Sequence, residues 1–371
     1  MNSTPQVYVK DGIIGVRLNG RYKSIGNTIH MGGYHHITGI IFKQVNECGE
    51  ECLSEKYASE IIRNEGLDPR ETALFLTAAE LPKWSSVNRT SLYEGFLLTI
   101  VTAGFKPMAC VGGNEGDSNA GTINIAVVID ECLSDVAAIE LVSMASSAKT
   151  AAIGDLLLGC GAGMGRAYAT GTDAILVAYR DCIGERFAGP LTNIGKAVFA
   201  QIYNNIHRIA ANISFEKRFQ HITGLTIGEL LDIGVEFYNK APVPGVSVEE
   251  ARDVLERIIL EALRDPNVWE LIMASRSLDD YGLAGSIPYL SRKDYLADYK
   301  GIVADELLGI TLSMYLNGWK GLFAYYWIDR IKDKDKLPGS LPMFMDDIIG
   351  ALLGGSLSKL YDHYLTRGKG S

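Results

Sequence analysis

Two domains, a mixed α/β (α+β) one followed by an all-α helical bundle, are what the sequence predicts, and three observations carry the prediction. With 371 residues, the chain is long enough for two or three domains with cores of their own. Its first half holds short β-branched runs set off by Gly and Asn, and after about Phe215 these give way to a 3.6-residue apolar period. The change places the boundary near Gln220–Leu225, so the domains are expected over 1–222 and 223–371, without internal repeats or low-complexity tracts.

Taken in order, Val7–Lys10 and Ile13–Leu18 flank Asp11-Gly12, a two-residue hairpin signal, and Asn19-Gly20 is a second one. The apolar runs Ala73–Ala79, Phe96–Ala103, Thr122–Ile129 and Ala174–Tyr179 read as buried strands. Asp135–Leu158, rich in Ala and Leu, has the length of one or two helices, and Gly112–Gly121 and Gly159–Gly171 read as loops. In the second half, Val248, Ala251, Val254, Leu255, Ile258, Ile259, Ala262 and Leu263 form one helical stripe. Ser247 with Glu250, behind Pro242-x-Pro244-Gly245, is a capping-box start for that helix.

Composition narrows the function. The net charge of −9 repels a phosphate backbone, so nucleic acid is not an expected partner. Met1–Lys10 lacks the features of a secretory leader, and a cytoplasmic location is expected. The apolar stretches Gly301–Tyr315 and Gly318–Ile328 are interrupted by charged or amide residues, so no membrane span is expected. The six cysteines, at 48, 52, 110, 132, 160 and 182, form no C-x-x-C pair and are expected as free thiols. A homo-oligomer is left open.

The second half carries acid inside apolar sequence: Asp305-Glu306 in Ile302–Leu308, Asp346-Asp347 in Met343–Ile349, and Asp329 in Tyr326–Arg330. Adjacent carboxylates sunk in apolar surroundings repel one another and lose hydration, so they take up protons or a cation. Oxygen ligands suit Mg²⁺ or Mn²⁺, which points to metal-assisted phosphate chemistry with Asp305 and Asp346 foremost. The alternative places Asp346 and Asp347 at a helix N-terminus, where the dipole favours them. Glu250 is a further candidate ligand, although capping alone accounts for it. Lys332, in the mixed-charge run Lys332–Lys336, is a candidate phosphate contact or a solvated loop residue.

In the first half no metal or cofactor is expected. Gly159–Gly165 fits neither dinucleotide nor P-loop spacing. Ala169-Thr170-Gly171-Thr172-Asp173 puts two hydroxyls and a carboxylate at the start of a strand, where they hold a polar substrate group or cap a turn. His30, His35 and His36 before Cys48 and Cys52 match no zinc spacing. Ser143, Ser146 and Ser147 near Lys149 suggest a Ser/Lys nucleophile or merely a packed helix.

Over residues 1–220 the chain resembles the adenosylcobinamide amidohydrolase family. The resemblance is carried by Phe75–Ala79, Val101–Gly104, Gly121–Ile125, Leu133–Asp135, Ala148–Ala152, Ala169–Asp173 and Phe187–Pro190. It implies removal of the aminopropanol arm of adenosylcobinamide to give adenosylcobyric acid. On that reading Asp173 or Glu80 is the base, Thr172, Thr170 and Asn124 are donors, and Thr102 and Lys149 contact substrate. Ser146-Ser147-Ala148-Lys149 departs from the Thr-Glu-Ala-Lys expected there. Over 223–366, Gly245–Glu250, Ala304–Glu306, Ile328-Asp329 and Met345–Ile348 resemble the α-ribazole-phosphate phosphatases related to phosphatidylglycerophosphatase A, with Tyr326 where the latter carry Arg. Together the two resemble the bifunctional corrinoid-salvage proteins of archaea. They imply corrinoid and α-ribazole 5′-phosphate or adenosylcobalamin 5′-phosphate as substrates, with Mg²⁺ or Mn²⁺ on Asp305, Glu306, Asp346 and Asp347. A non-catalytic corrinoid-binding scaffold and a helical nucleotide pyrophosphatase are the alternatives.

Overall fold

A computed structural model describes residues 4–46, 49–92, 95–106, 108–110, 121–159, 165–299, 301–331 and 341–367. The chain divides into two compact units, Met1–Leu158 with Ala167–Ile213, and Gly159–Arg166 with Ser214–Ser371. The first is mixed α/β and the second is helical.

The first unit runs β1 (Gln6–Lys10), β2 (Ile13–Gly26), β3 (Gly33–Gln44), α1 (Glu55–Asn64), β4 (Thr72–Thr77), β5 (Ser85–Ser91), β6 (Phe96–Ala103), β7 (Met108–Cys110), β8 (Ile123–Leu133), α2 (Asp135–Asp155), β9 (Ala167–Thr170), β10 (Ala174–Glu185) and α3 (Asn193–Ala210). Its main sheet has the order β4-β3-β2-β10-β8-β6-β5, with β1 on β2, while β7 and β9 pair separately. The pairs β8–β10 and β3–β4 are parallel, and the others are antiparallel. One core joins Ile14 and Val16 of β2, Phe42 of β3, Phe75 of β4, Leu98 and Ile100 of β6, Val128 of β8 and Leu176 of β10. For strands that far apart in the order to share a core, the sheet must curl. Asn124 of β8 closes the curl by donating its side-chain amide to the Leu76 carbonyl of β4 at 2.8 Å.

Asp11-Gly12 makes the expected hairpin, with Lys10 opposite Ile13. Asn19-Gly20 does not. β2 runs on through it as an irregularity in the β2–β3 register between Arg17 and Tyr22. The Asn19 side chain accepts from Tyr22 Oη at 2.6 Å and from Arg180 at 3.1 Å, which ties this segment into the sheet. The free-thiol expectation is also corrected. Cys132 and Cys182 form a disulfide with Cα atoms 5.0 Å apart, because β8 and β10 run side by side and bring the two together. Cys110 is disulfide-bonded as well, and Cys52 is free and buried.

α2 starts at a Ser134 cap, whose hydroxyl accepts from Ala137 N. Among the described residues it is the one helix long and apolar enough to cross a membrane. Small residues, Ala137, Ala138, Ala145, Ala148 and Ala152, let its buried face approach closely, and Lys149 lies on that same face.

The second unit contains α4 (Phe215–Thr223), α5 (Ile227–Lys240), α6 (Val248–Ala262), α7 (Pro266–Leu283), α8 (Arg292–Leu296), α9 (Ala304–Ile331) and α10 (Met343–Arg367). α10 buries Phe344, Met345, Ile348, Ile349, Leu352, Leu353, Leu357 and Leu360, as befits an apolar central helix. α9 is broken at Asn317 and Gly318, where Gly318 has φ +56°. Its arms fold back on one another: Gly309 lies under the Tyr325 ring and Gly321 against the Ser313 carbonyl. Both pairs obey one antiparallel register, which sets Asp305 opposite Asp329. Gly354 of α10 lies against the Tyr325 backbone, where a methyl group would stand 2.6 Å from Cα.

Candidate functional site

The first unit gathers its polar groups at one end of the curled sheet. β8 and β10 start side by side there, with Asn124 opposite Ala174, and β6 ends opposite Ile123. The turn between β9 and β10 thereby comes against the start of β8, and α2 delivers Lys149 to it. Lys149 Nζ donates to Asp173 Oδ2 at 2.5 Å, and the two side chains are only 8% and 10% exposed. The same oxygen accepts from Thr170 N at 3.1 Å. Oδ1 accepts from Ile123 N at 2.9 Å and from the Thr170 hydroxyl. Asp173 is thus a carboxylate with both oxygens engaged, which holds a buried ammonium in place.

Thr172 and Thr122 bring their hydroxyls 2.6 Å apart beside this pair. Thr102, opposite Asn124 in the ladder, is fully buried, and its hydroxyl has no partner among the described residues. Asn124 braces the sheet. Glu80 lies just beyond β4 with its side chain 65% exposed, 3.9 Å from the Lys83 ammonium, and the preceding Ala79 packs by Gly104 at the end of β6. Ser143, Ser146 and Ser147 are exposed on α2 while Lys149 turns inward, so no Ser/Lys pair is built. His30 engages Glu55 and the Pro69 carbonyl, and His36 engages Asp181, so the histidines do not converge.

In the second unit, Asp305 and Glu306 open α9 and Asp347 lies near the start of α10. One carboxylate oxygen from each falls within 4.8 Å of the others, the one such set of potential metal-binding groups among the described residues. Asp305 is pushed up to about 8, first by burial, then by a hydrogen bond with Glu306 and the charge of Asp347. Glu306 Oε2 is buried without a hydrogen-bond partner among the described residues. Asp329 faces this group across the α9 hairpin, and its charge, with those of Asp347 and Glu306, adds to burial in keeping the Tyr325 phenol protonated. Asp346 is half-buried next to Asp347 and outside the set of three. The carboxylates at 305, 306 and 346 all occupy first helical turns, so helix-end placement and clustering hold together.

Glu250 goes elsewhere. Its backbone N–H donates to Ser247 Oγ at 3.1 Å, while its carboxylate accepts from Tyr364 Oη at 3.1 Å rather than closing a capping box. Lys332 lies outside the described residues. Sequence reasoning missed Asp279 of α7, which is fully buried and accepts from Tyr295 Oη at 2.6 Å and from Phe344 N and Met345 N at 2.9 Å. It thereby caps α10 from another helix, and burial pushes its carboxyl up to about 6. Its signal was present in Leu278-Asp279-Asp280, another acid pair in apolar sequence.

An uncharacterised protein of Methanocaldococcus jannaschii is 30% identical over 140 residues, spanning 36% of this chain and 100% of that protein. The low temperature requirement C protein from Listeria monocytogenes is 21% identical, with a TM-score of 0.34, covering 41% of this chain and 97% of that one. Protein ypjQ from Bacillus subtilis is 17% identical, with a TM-score of 0.33, over 39% of this chain and 89% of that one. The family model for adenosylcobinamide amidohydrolase matches residues 1–212, the stretch that builds the Lys149–Asp173 cluster. By that match over more than half its length, the chain belongs to the adenosylcobinamide amidohydrolase family, hydrolases of cobalamin salvage.

Proposed function

We propose that this chain is a cytoplasmic, bifunctional corrinoid-salvage enzyme. Its first unit hydrolyses the aminopropanol amide of adenosylcobinamide, and its second removes phosphate from α-ribazole 5′-phosphate or adenosylcobalamin 5′-phosphate. The observation that carries the first activity is the buried Lys149–Asp173 pair, placed among threonine hydroxyls where the family's segments meet. Asp173 has four donors on two oxygens, so its part is to fix Lys149 and Thr170. Glu80, solvent-facing at the same end of the sheet, is the better base. Its carboxylate takes a proton from water as the oxygen adds to the amide carbon, and the C=O π pair becomes an oxyanion. Lys149 and Thr172 donate to that oxyanion. Collapse breaks the C–N bond, and the amine nitrogen takes the proton from Glu80, giving a carboxylic acid and free aminopropanol.

The second activity rests on the three clustered carboxylates, whose buried Glu306 oxygen, without a partner among the described residues, and proton-retaining Asp305 suit a divalent cation such as Mg²⁺ or Mn²⁺. Asp305, Glu306 and Asp347 would hold it, with Asp329 and Asp346 beside them. A cation held there would supply positive charge to phosphate oxygens and acidify a neighbouring water. Filling the site would require Asp305 to lose its proton, and the half-buried Asp346 would orient the attacking water. The test is direct: purified full-length protein should release aminopropanol from adenosylcobinamide and phosphate from α-ribazole 5′-phosphate. Absence of the first product ends the amidase assignment, and absence of the second ends the phosphatase assignment.

A further inference from the structure

Tyr325 sits in the second arm of the α9 hairpin, 3% exposed, and its hydroxyl completes no hydrogen bond of ordinary length among the described residues. The slot around it is made of glycines. A methyl group at Gly309 would stand 2.5 Å from the hydroxyl oxygen, one at Gly350 3.5 Å from the ring edge, and one at Gly354 2.6 Å from the Tyr325 backbone. Three glycines on two helices therefore admit a phenol, tip first, into the space that faces Asp347, Asp329 and Glu306. Asp347 is near enough to interact with the hydroxyl, yet among the described residues no acceptor stands at hydrogen-bond length, which is unusual for a buried O–H.

Glu306 Oε2, in the same place, is a buried acceptor without a donor among the described residues. The two orphans have opposite needs. A cation satisfies the carboxylate oxygen but does nothing for an O–H, which requires an oxygen with a free lone pair. A ligand that meets both demands brings a cation and an anionic oxygen together.

We propose that the Tyr325 hydroxyl is a substrate-contacting donor of the carboxylate site, hydrogen-bonding a phosphate oxygen held there alongside the cation. This rests on the phosphatase reading of the second unit and adds to it a residue that recognises the anion. A phenol carries its proton at neutral pH, so it donates its O–H without transferring it. Its contact grows stronger as charge gathers on the phosphoryl oxygens.

The test uses the full chain and two probes, Mn²⁺ alone followed by electron paramagnetic resonance, and inorganic phosphate titrated calorimetrically in saturating Mn²⁺. Tyr325→Phe keeps the ring in its slot and should bind Mn²⁺ within about twofold of the unaltered protein. Its phosphate affinity should fall about tenfold or more, the ordinary loss for a hydrogen bond to a charged group. Gly309→Ala, whose methyl group takes the hydroxyl's place, should reproduce the phosphate loss and stands in if Tyr325→Phe does not fold. Unchanged phosphate affinity in the variants overturns the proposal, and so does an equal loss of Mn²⁺ and phosphate, which would make Tyr325 a prop for the carboxylates. Failure of the unaltered protein to bind Mn²⁺ overturns the phosphatase reading itself and the proposal with it.

Discussion

Lys149 can be kept 8% exposed only while Asp173 balances it, because a buried charge that loses its partner costs several kcal/mol, commonly about 3–5. Asp173→Asn should therefore lower both the melting temperature and aminopropanol release. Glu80→Gln alters an exposed side chain, so it should cut release by about 10²-fold or more at an unchanged melting temperature. If Glu80→Gln turns over normally while Asp173→Asn is inactive yet fully stable, Asp173 is the base after all. Asp305 gives a pH prediction. Raised from an ordinary carboxyl value to about 8, it retains in the folded chain a proton that the unfolded chain has already lost. Stability it contributes is full below about pH 4 and is lost as pH rises through 8, and Asp279, raised to about 6, acts in the same sense. Thermal scans of chelated protein should show the helical unit melting lower at pH 8.5 than at pH 5, with Mn²⁺ restoring it at the higher pH. A flat profile would mean that the cluster is not buried as described. The candidates themselves were legible as residue types out of place, acids in apolar helices and Thr-Gly-Thr-Asp before a strand. Their partners were not, since Lys149 to Asp173 and Asp305 to Asp347 are joined only by tertiary packing.

α10 presents its carboxylates because other elements hold its start and its middle. Asp279 caps its first turn from α7, and Gly354 lets the second arm of α9 lie against its backbone. Asp279→Ala strands two buried N–H groups and should cost about 2 kcal/mol or more. Gly354→Ala forces the Tyr325 backbone away and should cost about 1–3 kcal/mol. Denaturant titrations would read both, and a neutral Gly354→Ala would show that the helices are not in contact there. The continuous apolar run Phe96–Ala103 and the 3.6-period stripe of Val248–Ala262 were readable because run length and side-chain period are local properties of the sequence. β3, β5 and the break in α9 were not. Gly33–Gln44 and Ser85–Ser91 mix polar and apolar residues without clean alternation, and Asn317-Gly318 lies inside a stretch that is otherwise good helix.

At the scale of the whole molecule, the change of periodicity near Phe215 led to an expected boundary near Gln220–Leu225, whereas the compact units divide at Ile213 and Ser214. Gly159–Arg166 belonging to the helical unit could not be read, because it depends on Arg276, buried in the second unit, donating to the Gly165 carbonyl at 2.7 Å. The two candidate sites differ in what they ask of solution. One is a lysine–carboxylate pair satisfied by the chain's own groups; the other is a set of carboxylates in which Asp305 holds its proton and one oxygen has no partner among the described residues. The most direct measurement is to give one preparation of the full chain both adenosylcobinamide and α-ribazole 5′-phosphate, with Mg²⁺ or with EDTA, and to quantify aminopropanol and phosphate together. Both products should form with Mg²⁺, and EDTA should abolish phosphate release while leaving aminopropanol release nearly intact. Equal loss of both products in EDTA, or release of neither with Mg²⁺ present, would contradict the account.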